Sequence, residues 1–84
     1  MIIADTTGGN VTLGGLKGGV TGQVVFIVKK VAGNNLILED NEGDAQDFQI
    51  QGGDSTLTAI EGGYICVFNG TDWNVISGGL GTLA

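Results

Sequence analysis

Apolar residues along the chain occur in short runs that paired glycines separate from one another. Six Gly-Gly pairs, at residues 8–9, 14–15, 18–19, 52–53, 62–63 and 78–79, divide the sequence into segments of strand length. Val, Ile and Thr are common between the glycines, proline is absent, and no segment shows a helical period. The pattern predicts an all-β protein of short antiparallel strands in a β-sandwich or β-prism-like body.

Three apolar runs are unbroken, at residues 24–28, 36–38 and 65–68. A strand with one face in water alternates apolar and polar residues, so an unbroken run indicates burial on both faces. In a domain this thin, the cover for the second face is expected from another subunit. The positions that we assign to the subunit interface or the core are Val24, Phe26, Val28, Ile65, Val67 and Trp73.

Two later segments alternate instead, with Phe48 and Ile50 in one and Leu57 and Ala59 in the other. Polar residues occupy the positions between them, so we expect half-exposed strands. Turns are predicted at residues 33–35, 41–43, 52–54 and 69–72, where Asn, Asp and Gly cluster.

The first 22 residues carry many glycines and few side chains that could form a core. The residues in this segment that could contribute to a core are Ile2, Ile3, Val11, Leu13 and Leu16. We predict an extended glycine-rich N-terminal arm at residues 1–22, ordered by contact with a neighbouring subunit through these five residues. Residues 23–84 are then the β-rich body that builds the oligomer.

Composition narrows the possible partners and stabilising devices. Three Lys and Arg against nine Asp and Glu give a net charge of −6, which argues against nucleic acid and anionic membranes. One cysteine and no histidine leave neither a disulfide nor a Cys/His zinc site. Association with further copies is the remaining common device. The N-terminus has no signal-peptide pattern, so synthesis in a cytoplasm is expected.

The sequence offers little catalytic chemistry, and we predict no enzyme, cofactor or metal. Residues 17–22 resemble a P-loop only in part, because Gln23 and Val24 stand where its phosphate and magnesium ligands belong. Cys66 lies within an apolar run, so a buried small hydrophobe is favoured over a nucleophile. Five acids at residues 39–47 predict a solvated turn, with a calcium site as the alternative.

Tyr64 and Trp73 are the aromatic residues that could stack on a sugar ring. Packing in a core or at an interface explains both residues without a ligand, and we favour it. Glycan contact through these two residues stays open as the alternative.

Several C-terminal segments resemble a known family when taken together. They are residues 33–38, 48–59 and 64–77, and the most specific is the turn Asn69-Gly70-Thr71-Asp72-Trp73. Residues 22–78 are similar to the small trimeric β-modules of tailed-bacteriophage surface proteins, which commonly end in an aromatic strand, such a turn and a short final strand. In the hairpin, Trp73 is expected to pack back on the strand of residues 64–68.

The resemblance implies a homotrimer on a virion surface. A chain of 84 residues with a glycine-rich arm and no upstream stalk is expected to be a capsid decoration or cement protein, made in the host cytoplasm. It is expected to bind the major capsid protein and to stabilise the capsid through the N-terminal arm. The alternative is a tail fibre or tail spike module that contacts host surface glycans.

Overall fold

The computed structural model describes residues 1–43, 46–58 and 61–77, which contain eight strands and no helix. The strands are β1 (Ile2–Ala4), β2 (Val11–Leu13), β3 (Val24–Lys29), β4 (Asn35–Leu38), β5 (Phe48–Gln49), β6 (Ser55–Thr58), β7 (Gly62–Phe68) and β8 (Trp73–Ser77). They form a large sheet in the order β1-β3-β7-β8-β5 and a small sheet in the order β2-β4-β6. The prediction of an all-β protein is confirmed.

Both sheets mix parallel and antiparallel pairs, whereas the sequence led us to expect antiparallel strands. The pairs β3–β7, β7–β8 and β4–β6 are antiparallel. The pairs β1–β3, β2–β4 and β5–β8 are parallel. The first two parallel pairs arise because the chain crosses from the large sheet to the small sheet twice, each time in the same direction.

The two crossing segments stack on each other, and they pair with the same sequence offset in both sheets. Ile2 pairs with Ile27 in the large sheet, and Val11 pairs with Leu36 in the small sheet. Both pairs are 25 positions apart in the sequence (2 to 27 and 11 to 36). We call residues 2–13 the first arch and residues 27–38 the second arch.

The turns of the two arches are hydrogen-bonded to each other as well. The Asn35 amide donates to Asn10 Oδ1 at 2.9 Å, and the Asn34 side chain donates to the Thr6 carbonyl at 2.7 Å. Asn34 has a φ of 61°, a left-handed conformation that Asn tolerates well. The stacking therefore continues through the turns as well as the strands.

Lys29 is a buried charged residue directly after the apolar run of residues 24–28. It is the last residue of β3, its side chain points inward, and it is 1% exposed. Its ammonium donates to the carbonyls of Val31 at 2.5 Å, Ala32 at 2.8 Å and Gly33 at 3.4 Å. These bonds satisfy the buried donors and hold the turn of the second arch.

Buried side chains from both sheets form one hydrophobic core. Its members are Ala4, Val25, Ile27, Leu36, Leu38, Phe48, Leu57, Tyr64, Cys66, Phe68 and Trp73. Phe48 and Leu57 are the inward members of the two alternating segments, as predicted; Ala59 lies outside the described residues.

Residues 1–22, predicted as an arm, pair and pack with residues of the body within the same chain. β1 and β2 belong to the two sheets, and the segment between β2 and β3 lies against the end of β7 and β8. A Cβ at Gly19 would lie 2.6 Å from the Phe68 ring, and one at Gly15 would lie 2.3 Å from the Gln46 carbonyl oxygen. The glycines that suggested flexibility here permit close packing.

Replacing Lys29 tests the importance of its three carbonyl contacts. Lys29→Ala leaves the Val31 and Ala32 carbonyls without this donor and opens a cavity, so we expect a loss of about 2–4 kcal/mol in unfolding free energy. Lys30→Ala is the matched control, because Lys30 is exposed and its contact with Asp5 is 3.8 Å long; it should change by less than about 0.5 kcal/mol. Urea denaturation followed by circular dichroism measures both, and equal effects would contradict the prediction.

Candidate functional site

The outward side of β3 is the most unusual surface of the large sheet. Strand alternation points Val25 and Ile27 into the core and leaves Val24, Phe26 and Val28 facing out. Val24 is 50% exposed and Phe26 is 49% exposed. An exposed strand face of three consecutive apolar side chains is rare in a sheet that has water on that side.

Neighbouring strands extend this apolar surface. Val67 and Ile65 of β7 lie opposite Val24 and Phe26, and both are partly buried. Ile3 of β1 lies beside Val28, and Ile76 of β8 is exposed next to the bulge in the β7–β8 pair. We name this surface the outer face; its members are Ile3, Val24, Phe26, Val28, Ile65, Val67 and Ile76.

No charged side chain occupies an outward position in the described strands of the large sheet. Its one charged residue, Lys29, points inward. The most exposed side chains of the outer face present on the order of 500 Å² of apolar surface, which matches the largest patch on a typical monomer. The outer face is therefore suited to contact with another protein surface.

A shallow groove of about 520 Å³ crosses one end of the outer face. Phe26, Val28 and Ile65 line it, together with Glu61 and Gly63. Gly63 faces Val28 across the β3–β7 pair, and a Cβ there would lie 2.4 Å from the Ile27 carbonyl oxygen. Only glycine allows the two strands to approach this closely, because the backbone of β3 already occupies the place of a Cβ.

The structure brings together five of the six residues that we assigned to the subunit interface or core. Val24, Phe26, Val28, Ile65 and Val67 share the outer face. The sixth residue, Trp73, lies on the opposite side of the sheet, in the core. Ile3 and Ile76 were not assigned to this surface from the sequence.

Trp73 is held in the core by packing and by one hydrogen bond. Its side chain is 1% exposed, and its ring centroid lies 5.1 Å from that of Phe68. Its indole N–H donates to the Leu16 carbonyl at 2.9 Å. The predicted packing of Trp73 against the end of the strand of residues 64–68 is confirmed.

Tyr64 is also a core residue. Its hydroxyl donates to Ser55 Oγ at 3.1 Å, and burial raises the pKa of its phenol. Neither Tyr64 nor Trp73 presents a ring face to solvent, so neither can stack on a sugar in this conformation. The glycan alternative therefore has to rely on other residues.

Only one of the five apolar residues of the predicted arm is exposed. Ile3 belongs to the outer face. Ile2, Val11, Leu13 and Leu16 are partly buried and pack against the core of their own chain. Of these five residues, Ile3 is the one placed for contact with a partner.

The acids of residues 39–47 do not converge on one point within the described residues. Asp40 and Asp54 each accept a backbone N–H at 2.7 Å, from Ile50 and Asp40 respectively. Asp47 is buried and accepts the Gly43 amide at 3.2 Å. No group of three acids that could hold a metal ion occurs in these ranges, and Asp44 lies outside them.

Cys66 is fully buried between the two sheets' apolar side chains. Desolvation raises the pKa of its thiol to about 11, so at neutral pH it is protonated. A thiol in this state is a poor nucleophile.

In the glycine-rich segment of residues 17–22, the Gly22 amide donates to the Phe68 carbonyl at 2.8 Å instead of facing a ligand.

Comparison with known proteins gave no relative. No protein-family model matches the chain, and no curated protein or solved structure is significantly similar to it. Within the described ranges there is no helix long and apolar enough to cross a membrane.

A substitution at Trp73 separates its core role from the glycan alternative. Trp73→Ala should reduce the unfolding free energy by about 3–5 kcal/mol, because it opens a large cavity and leaves the Leu16 carbonyl without its donor. Thermal unfolding measures the loss. A variant that keeps the wild-type midpoint but loses binding on a glycan array would contradict the core assignment.

Proposed function

We propose that the chain is a non-enzymatic structural protein of a phage virion: a homotrimeric capsid decoration or cement protein that stabilises the capsid. The major capsid protein is its partner, and it is located on the virion surface. The family resemblance at residues 22–78 suggested this role.

The observation that carries the proposal is the outer face. The chain's net charge is −6, yet the outward positions of its large sheet carry no charge and seven aliphatic or aromatic side chains. An apolar patch of this size is often functional, and contact with another protein surface is a common reason for one. The face is also formed by residues that the sequence assigned to subunit contact.

In the proposed trimer, three large sheets turn their outer faces toward a common axis in a β-sandwich or β-prism-like body. Each face then gains the second cover that the unbroken apolar runs of β3 and β7 indicated. The first arch lies at one edge of both sheets, so its exposed residue Ile3 is available to a neighbour.

The alternative is a tail fibre or tail spike module, which shares the trimer but contacts host glycans. With Tyr64 and Trp73 in the core, its glycan site has to lie on the exposed turns. The turn at residues 69–72 is one such place, since Asn69, Gly70 and Thr71 are exposed.

Native mass in solution tests the oligomer. Multi-angle light scattering should give three times the 8.5 kDa of the chain, because covering three outer faces removes their apolar surface from water. A mass of 8.5 kDa across the accessible concentration range would contradict the proposal.

The position in the virion requires a separate measurement. Gold-labelled antibodies against the chain should decorate the heads of virions of the phage that encodes it, over the whole capsid surface. Labelling confined to the tail tip would favour the fibre alternative. Intact virions without any label, with the antibody shown to bind the purified protein, would contradict both locations.

A further inference from the structure

The outward surface of the large sheet is polar at one corner and apolar elsewhere. This distribution indicates where a second copy makes contact. Polar residues Gln49 and Asn74 occupy the outward positions at the β5 and β8 corner. Most of the apolar residues lie on β1, β3 and β7; Val67 borders the polar corner opposite Asn74, and Ile76 lies further along β8. The centre of the contact is therefore expected on β3.

Phe26 is the largest exposed side chain in this region. It lies in the middle of β3, between Val24 and Val28, and opposite Ile65. It also forms one wall of the groove, next to the place where Gly63 lies opposite Val28. A large aromatic beside a gap, ringed by aliphatic neighbours, has the features of an interface hot spot.

Charge favours this surface as the place where a second copy of the chain makes contact. Two chains of net charge −6 repel each other wherever their acidic turns meet. The outward strand positions of the large sheet carry no charged side chain, and Glu61 at the end of the groove is exposed, so two copies can approach there with that carboxylate left in water. A partner that is recognised through charge would find one carboxylate, Glu61, at the end of the groove.

The area is also of the right size for contact between copies. The roughly 500 Å² of exposed apolar surface is over half of the about 800 Å² that each partner buries in a standard interface. The polar corner of Gln49 and Asn74 can supply a rim around it.

Resting on the proposed homo-oligomer, we infer that Phe26 and the groove beside it are the centre of the contact between copies of this chain. An apolar side chain of the second copy enters the groove between Val28, Gly63 and Ile65 and covers the Phe26 ring. The aliphatic residues around it exclude water from the contact.

Phe26→Ser tests this assignment, with Val20→Ser as the matched control. Val20 is 69% exposed and lies outside the strands, so its variant removes a comparable exposed apolar side chain from another surface. We expect light scattering to give the 8.5 kDa monomer for Phe26→Ser and the wild-type mass for Val20→Ser. Circular dichroism should show the same β-sheet spectrum for both, because neither side chain is in the core.

A second measurement does not depend on the folding of Phe26→Ser. Val24→Cys places a thiol inside the proposed contact, and Val20→Cys places one outside it. The native Cys66 does not react at pH 8, because its thiol is buried and has a pKa of about 11. In the oligomer, Val24→Cys should react with a disulfide reagent roughly tenfold more slowly than Val20→Cys. In the diluted monomer the two rates should become similar.

The outcomes separate this inference from the proposal on which it rests. A Phe26→Ser variant that keeps the wild-type mass, or equal reaction rates of the two cysteines in the oligomer, would overturn the assignment and leave the oligomer standing. A wild-type protein that is monomeric at every concentration would overturn both.

Discussion

The stacking of the second arch on the first is the interaction on which the rest of the fold depends. The same 25-residue offset joins β1 to β3 and β2 to β4, and the Asn10–Asn35 hydrogen bond joins positions with this offset in the turns. Because one register runs through both sheets, neither sheet can slip by a residue without breaking the other. Lys29 fixes the turn from inside, since its ammonium holds three successive carbonyls.

The two faces of β3 have different surroundings, one in the core and one in solvent. Its inward residues Val25 and Ile27 join the core, and their burial orients Phe26 and its neighbours toward solvent. The close approach at Gly63 ties the groove to the same β3–β7 pairing. The shape of the outer face is thus a consequence of how the core packs, and a change in the core at Ile27 would also disturb the surface.

Much of the local structure was predictable because it follows from side-chain type. Apolar runs predicted β3, β4 and β7, and Asn, Asp and Gly marked turns in which Asn34, Asn41 and Gly70 do have positive φ. The hairpin packing of Trp73 followed from the Asn-Gly turn before it. Five residues of the outer face were predicted because an unbroken run must put half its side chains on the second face.

The rest depends on contacts between distant segments. Residues 1–22 were expected to form an arm because glycine lowers the intrinsic order of a chain, while Gly15 and Gly19 serve packing that only the fold reveals. The burial of Lys29 was not predictable, because its three carbonyl partners become available only when the turn closes. A signal for the parallel pairing was present: residues 2–13 and 27–38 share Ile at the start, Gly-x-Asn in the turn and Leu at the end. Ile3 corresponds to Val28 in this repeat, which places it on the outer face.

The position of the first arch has a consequence for how the molecule can be enlarged. β1 and β2 are edge strands of the two sheets on the same side of the molecule, whereas β6, β7 and β8 pair beyond the second arch. A further 25-residue unit stacked before the first arch would lengthen both sheets together and leave the existing pairs intact. The fold is therefore open to growth by repeats in one direction, and fusion of designed arches at that edge is the natural way to extend it.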